Sequence, residues 1–234
     1  METLEVKGII VPNDLSDVYD WMGYDSVSPS SIRDALNQAS GQDIVVEVNS
    51  RGGYVDAGSE IYTELKKYQG NIDIQIVGYA CSAASWIALA GDTVEMSPTA
   101  QLMIHRASGG ADGNVDDLAS AMQGLDQMDQ ALVDLYAKRT GKSAQEVYQL
   151  MAKESWMNAK TAVANGFVDS IMFEDEQMPA VVNADGVPIL NNQVINKIKN
   201  LIKEPKLENK NKLKRQLRMK TCRFYYGVSK KEDK

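Results

Sequence analysis

The chain has 234 residues, of which 44% are apolar and 24% charged, with 17 Gly and 6 Pro. These values predict one globular domain, or one domain with an appendage, and exclude a wholly disordered or fibrous chain. The charge is uneven, because residues 197–234 carry 14 basic and 4 acidic side chains, a balance of +10, which leaves −17 on residues 1–196. An acidic body is not expected to bind nucleic acid, whereas the basic tail could contact nucleic acid or an acidic partner.

Two cysteines and one histidine are too few for a disulfide framework or a His-rich metal site. The first apolar run, residues 8–11, is too short for a signal peptide. The uncharged stretch at 74–91 approaches the length of a membrane span, but polar side chains interrupt it and Gly78 divides it into an alternating part and an Ala-rich part. We therefore predict a cytoplasmic protein with no membrane span, metal or cofactor.

The first predicted elements are a strand, a helix and a second strand. Residues 7–11 form the first strand, and Ser28 followed by Pro29 indicates an N-cap and the first helical position. The β-branched run at 43–48 predicts a strand, followed by a loop at 49–53.

Helical spacing of apolar residues then predicts a helix over 55–68. The same order repeats, with a strand at 72–77, a loop at 78–81, a helix at 82–90, and two short strands at 93–96 and 101–105. Such alternation implies an α/β fold with a largely parallel, buried sheet covered by helices.

Apolar residues from Val115 to Leu135 recur at intervals of 3, 4, 3, 3, 4 and 3, which predicts a long helix with one apolar stripe. Its methionines indicate core or a subunit interface rather than a cofactor site. A capping box at 143–146 starts another helix, and a closing strand is predicted at 167–173. We place a domain boundary near residue 190, so that residues 1–190 form the domain and residues 191–234 a basic tail that is flexible or binds a partner.

Two predicted loops follow strands, where ligands and catalytic groups collect in such sheets. The paired glycines of loop 49–53 can turn backbone N–H groups toward an oxyanion, or can simply form a tight turn. In the second loop, Ser82 stands where a helix N-terminus would favour a nucleophile, although an N-cap serine would have the same position. Cys81 is the competing nucleophile, but apolar surroundings would leave its thiol inert.

The single histidine, His105, follows the apolar segment at 101–104. An isolated histidine can be merely structural, but any mechanism that uses an imidazole base must use this one. A carboxylate or carbonyl would have to orient the ring, and spacing alone does not choose among 32 acidic side chains.

Four segments resemble motifs of the ClpP family of serine peptidases: VNSRGG (48–53), GYACSAAS (78–85), LMIHRASGG (102–110) and AVANGFVDS (162–170). They stand in the family's order, and the resemblance covers about residues 5–173. The chain is most similar to the phage branch of that family, the head maturation (prohead) proteases.

The resemblance implies a role for five residues. Ser82 matches the nucleophile, His105 the general base, and Gly53 and Ala83 the two backbone donors of the oxyanion hole. Glu154 stands two residues before an aromatic, where the family has the third member of the triad. That member is normally an aspartate, and a glutamate can also orient an imidazole.

Two further positions bear on the site. Asp169 competes for the third place in the triad, but it matches a family position that is not the triad acid, so we expect a structural role for it. Arg51 replaces the usual proline of the glycine loop, which would alter loop rigidity or substrate charge preference. The implied fold is a ClpP/crotonase-like spiral of ββα units, in which residues 115–136 form the long handle helix that stacks rings.

The implied reaction is peptide hydrolysis without metal or cofactor. The lead before Gly52 is short, so we expect the axial-gate segment of housekeeping ClpP to be missing and the enzyme to be independent of ATP. The preferred function is a head maturation protease, active as a homo-oligomeric ring inside the procapsid in the host cytoplasm on scaffold and major capsid protein. The basic tail would tether it to an acidic scaffold or would simply be solvated.

Three alternatives remain open at this point. The chain could be a housekeeping-type ClpP subunit that works with an ATPase. It could be a crotonase-fold enzyme, whose glycine-loop amides bind thioester oxyanions without a Ser–His pair. It could also be a catalytically silent ClpP-like factor that organises the scaffold during head assembly.

Overall fold

A computed structural model describes residues 2–173 of the chain. The strands are β1 (Glu2–Ile10), β2 (Ser26–Val27), β3 (Ile44–Gly53), β4 (Ile72–Cys81), β5 (Thr93–Met96), β6 (Gln101–Ile104), β7 (Ser155–Asn158) and β8 (Ser170–Ile171). The helices are α1 (Ser16–Trp21), α2 (Pro29–Ala39), α3 (Val55–Lys67), α4 (Ala83–Ala88), α5 (Val115–Thr140), α6 (Ala144–Ala152) and α7 (Ala159–Ala164). The boundary predicted near residue 190 and the tail at 191–234 lie outside the described residues.

One sheet organises the domain, with the strand order β2-β1-β3-β4-β5-β8 and every neighbouring pair parallel. The strand β6 pairs in parallel with the last residues of β4, and β7 adds to β6 as the one antiparallel pair of the described sheet. The prediction of an α/β fold with a largely parallel sheet is confirmed.

The core lies between the central strands and the helices that cover them. Val46 and Val48 of β3 and Ile74 and Ile76 of β4 are fully buried, as is Ile61 of α3. Burial of each such side chain stabilises the fold by about 1.5–3 kcal/mol. β-branched residues dominate these strands because their side chains pack well on a pleated surface.

The prediction of loops at 49–53 and 78–81 is wrong, because β3 continues through the first segment and β4 through the second. The two strands shift register between Val48 and Ser50, and the Asn49 side chain fills the irregularity by accepting a hydrogen bond from Tyr79 N at 3.0 Å. A Cβ on Gly78 would lie 2.2 Å from Asn49 Oδ1, so a larger residue there would displace the Asn49 side chain from this hydrogen bond.

The helices with predicted caps begin where those caps place them, whereas most strands end at other residues than the β-branched and apolar segments predicted. Ser28 and Ser143 cap α2 and α6 as expected, and α5 ends at Gly141 in the left-handed conformation. The predicted closing strand at 167–173 is reduced to the two residues of β8. The helix α1 and the short strands β2 and β7 were not predicted from the sequence.

The apolar stripe of α5 is divided between core and surface. Leu132, Val133 and Tyr136 near its C-terminal end are buried, whereas Val115 and Met122 near its N-terminal end are 81% and 68% exposed. Among residues 2–173, none of the helices combines the length and the apolarity that crossing a bilayer requires.

Candidate active site

Ser82 occupies the turn between β4 and α4 in a conformation unusual for a residue with a side chain. Its φ is 53° and its ψ is −125°, and such a backbone costs about 1–3 kcal/mol. Although Ser82 stands at the N-cap position of α4, its hydroxyl makes no capping hydrogen bond within the described chain. The turn therefore holds the hydroxyl for contacts outside the helix.

His105 makes that contact. It is the first residue after β6, and its Nε2 lies 2.7 Å from Ser82 Oγ, within range for proton transfer. The backbones are also joined, because Ser82 N donates to Met103 O at 3.0 Å. Both side chains are half-buried, so the pair is open to a substrate.

The last residues of β3, 50–53, which we call the glycine loop although they belong to the strand, pack directly against this turn. Gly52 has a φ of +96°, and a Cβ there would lie 2.7 Å from both Cys81 O and Ser82 Cβ and 3.1 Å from Ala83 N. Ser50 secures the loop, since its hydroxyl accepts from Gly52 N at 3.0 Å and donates to Gly8 O at 2.6 Å. Only glycine permits so close an approach.

One of the two predicted oxyanion donors, Ala83, directly follows Ser82, and the other, Gly53, directly follows Gly52, which packs against the Ser82 turn. Ala83 is the first residue of α4, and the first N–H groups of a helix have no partner within it. Gly53 is exposed, and its neighbour Gly52 contacts the Ala83 amide region. Backbone N–H groups placed in this way can stabilise the oxygen of a tetrahedral intermediate.

Glu154 lies at the position opposite His105 across the β6–β7 pair. The register joins Ile104 to Ser155, so the next residues along each strand are His105 and Glu154. Within residues 2–173 no hydrogen bond joins their side chains, and Glu154 Oε1 instead accepts from Trp156 Nε1 at 3.3 Å. The register thus places Glu154 and His105 opposite each other, just beyond the paired ends of β6 and β7, with no hydrogen bond between their side chains in the described part of the chain.

Asp169, the competing candidate for the triad, contacts β5 and α5. Its Oδ2 accepts from Val94 N of β5 at 2.8 Å, and its Oδ1 lies 2.8 Å from the guanidinium of Arg139 on α5. These contacts join β5 and α5 and fit the structural role that we expected for Asp169.

Cys81 is 1% exposed, and burial raises the pKa of its thiol to about 11. The nearby positive charge of Arg51 opposes this shift only in part. The thiol therefore stays protonated at neutral pH, and a protonated thiol is a poor nucleophile.

Two supporting contacts around the site were not predicted. Ser85 Oγ donates to Ser82 O at 2.6 Å and lies 2.6 Å from the hydroxyl of Tyr136 on α5, which burial keeps protonated by raising its pKa. Arg51 stacks over the ring of Tyr79 at 4.1 Å from the centroid, which links the glycine loop to β4.

Asp129 is a third unpredicted contributor. It is 3% exposed and binds the two residues that follow His105. The sequence carried a signal for it, because Asp129 falls on the apolar face of α5 at spacings of four and three residues from Leu125 and Leu132. A carboxylate at such a position needs a partner.

Among residues 2–173 no three His, Cys, Asp or Glu side chains converge as a metal site would require. The sequence model of one family, described as Clp protease, matches residues 33–175, more than half of the chain. The match includes the glycine loop, the Ser82 turn, His105 and Glu154.

Proposed function

Because the chain belongs to the Clp protease family, we propose that it is an ATP-independent serine endopeptidase with Ser82, His105 and Glu154 as its triad. The family assignment makes it a ClpP-type serine peptidase. The assignment of Ser82 as nucleophile and His105 as base is supported by the 2.7 Å contact between Ser82 Oγ and His105 Nε2, at a turn in which Ser82 has a positive φ.

The geometry suits acyl transfer. His105 takes the proton of Ser82 as the hydroxyl attacks the scissile carbonyl, and the amides of Gly53 and Ala83 stabilise the oxyanion. His105 then gives the proton to the leaving amine, and water releases the acyl-enzyme through the same base. Glu154 would accept the imidazole Nδ1–H once its carboxylate leaves Trp156, and its charge would stabilise the imidazolium.

Labelling with a fluorophosphonate tests the proposed nucleophile. We expect the wild-type chain to gain one label, located on Ser82 by peptide mass analysis, and the Ser82→Ala variant to gain none. A crotonase-like enzyme needs no activated serine, so an unlabelled wild-type chain that binds acyl thioesters would favour that alternative. An unlabelled chain without any turnover would favour the silent assembly factor.

We further infer that the enzyme is a head maturation protease that cleaves scaffold or major capsid protein during procapsid maturation. The support is the likeness of its ordered motifs to the prohead branch, in particular the Ala-Cys-Ser turn that ends at Ser82 and the acidic residue Glu154 shortly before Trp156. The basic residues of 197–234 have the charge needed to bind an acidic scaffold.

Co-expression with the candidate scaffold and capsid proteins tests this role. Intact mass should show shortened scaffold or capsid protein with the wild-type enzyme and full-length proteins with Ser82→Ala. Cleavage that occurs only when a Clp-type ATPase and ATP are added would support the housekeeping-type subunit instead.

A homo-oligomeric ring is part of the proposal. Val115, Leu118 and Met122 expose apolar surface along the first half of α5. A face of this kind on a long helix is typical of a surface that packs against another subunit.

A further inference from the structure

His105 lies between a backbone segment that is held by sheet pairing and one that belongs to no helix or strand. Before it, Ile104 is held by its pairing with Ser155, and Met103 O accepts from Ser82 N at 3.0 Å. After it, residues 105–112 adopt no regular secondary structure. The direction of the imidazole therefore depends on what holds the backbone immediately after His105.

Asp129 of α5 holds that segment at two atoms. Its Oδ2 accepts from Arg106 Nε at 2.6 Å, and its Oδ1 accepts from Ala107 N at 2.7 Å. The carboxylate is sheltered from water, with only 4% of the side chain exposed. Hydrogen bonds to a charged acceptor are stronger than neutral ones, and a low local dielectric strengthens them further.

The buried negative charge of Asp129 is compensated by the positive charge of Arg106. A buried carboxylate without a partner would be strongly destabilising, and Arg106 supplies the compensating charge. The guanidinium also lies 5.2 Å from the centroid of the Tyr148 ring on α6 and 3.4 Å from Asp126, which is 72% exposed. Arg106 therefore contacts both α5 and α6, and its shortest contact is the one with the buried carboxylate of Asp129.

We propose that Asp129 is a positioning residue for His105, which acts by fixing Arg106 and Ala107 so that Nε2 stays within reach of Ser82 Oγ. Each of its oxygens is already bound to one of those residues, so it acts through the backbone and not by contact with the imidazole. The kinetic consequence rests on the proposed function, whereas the effect on the imidazole does not.

The chain offers a selective probe, because His105 is its only histidine. In protein labelled with ¹³C-histidine, the ring signals report on His105 alone. The test variant is Asp129→Asn, which offers one oxygen and turns an NH2 group toward one of the two donors, so that at least one hydrogen bond is lost. The matched control is Asp126→Asn. It also removes one negative charge from α5 beside the Arg106 guanidinium, but at an exposed site.

We expect the His105 ring signals to shift or broaden in Asp129→Asn and to stay unchanged in Asp126→Asn. With peptide substrates, kcat should fall about tenfold to a hundredfold with little change in KM, since small displacements of a catalytic group cost this much. The rate of fluorophosphonate labelling should fall by a similar factor.

Unchanged ring signals and an unchanged kcat in folded Asp129→Asn would overturn the proposal. If that variant does not fold, Arg106→Lys serves in its place, because it keeps the charge beside Asp129 but removes the Nε donor, and the same two readouts decide. If the wild-type chain neither hydrolyses peptides nor takes up the label, the proposed function fails, and the ring signals still decide whether Asp129 positions His105.

Discussion

Ser82 is the residue on which the proposed chemistry depends most directly. Its Oγ lies 2.7 Å from His105 Nε2, in a turn surrounded by small residues. We predict that Ser82→Ala lowers kcat/KM by about 10³-fold or more and leaves the assembly intact, because the change removes one oxygen atom. Steady-state kinetics and size-exclusion chromatography check the two parts. Full activity in Ser82→Ala would mean that another group is the nucleophile.

Cys81 precedes Ser82 and should take no part in the reaction. Since burial raises the pKa of its thiol to about 11, the thiolate is scarce below that pH. In a Cys222→Ser background, where Cys81 is the one remaining thiol, we expect negligible alkylation by iodoacetamide at pH 8 and a marked rise as the pH approaches 11. Cys81→Ala should keep its peptidase activity, and inactivation of that variant would transfer the nucleophile role to Cys81.

Glu154 is expected to support His105 through its charge. Gln keeps a hydrogen-bond acceptor but cannot stabilise the imidazolium by charge, so Glu154→Gln should lower kcat by less than Ser82→Ala does. Measurement of kcat in both variants, with assembly verified, decides the order. An unimpaired Glu154→Gln enzyme would remove Glu154 from the triad.

Asp169→Asn is the companion variant, because Asp169 was the competing candidate. Loss of its charge weakens the contacts with Val94 N and Arg139, so we expect the free energy of unfolding to fall by about 1 kcal/mol. Peptidase activity of the assembled variant should persist. An assembled but inactive Asp169→Asn enzyme would assign the triad role to Asp169.

At the scale of elements, helix starts were predictable and strand ends were not. A cap such as Ser28 or Ser143 acts within four residues, so the local sequence contains the whole signal. The end of a strand depends on a partner that is distant in sequence: β3 continues through Gly52 and Gly53 because it pairs there with β1, and β4 continues past Gly78 because its last residues pair with β6. The short strand β7 exists through its pairing with β6.

The same distinction applies to the site. Ser82 and His105 could be selected from motifs, and the structure brings them together. Asp129 stands out in the sequence only as a carboxylate on the apolar face of α5, and its role could not be predicted, because its partners Arg106 and Ala107 are more than 20 positions away and only the path of α5 brings them within reach. The contact between Ser85 and Tyr136 was unpredicted for the same reason.

The glycine loop of β3 allows a prediction at this scale. A methyl group on Gly52 would meet Cys81 O and Ser82 Cβ at 2.7 Å, and the φ of +96° is unfavourable for alanine. We predict that Gly52→Ala displaces the Ser82 turn and lowers kcat/KM by about a hundredfold or more. Gly124→Ala on α5 is the control, since a Cβ there meets nothing within 4 Å. Equal activity of the two variants would contradict the predicted displacement.

At the scale of the whole molecule, the exposed half of α5 is the surface that we expect to join subunits. Leu118 and Met122 are exposed on successive turns of the helix, and a charge buried between subunits is costly. We predict that Leu118→Asp shifts the assembly toward smaller species, as measured by light scattering after gel filtration, whereas Ser120→Asp on the same helix does not. An unchanged mass for Leu118→Asp would place the subunit contact elsewhere.

The groups that surround Ser82 come from β3, β4, the segment after β6, and α5, so they span residues 52–129 of the chain. Parallel pairing of β3, β4 and β6 must be complete before the hydroxyl and the imidazole meet, and such long-range pairings form late in folding. An unfolded chain therefore holds no assembled Ser–His pair, and the proposed hydrolytic activity arises only with the folded sheet.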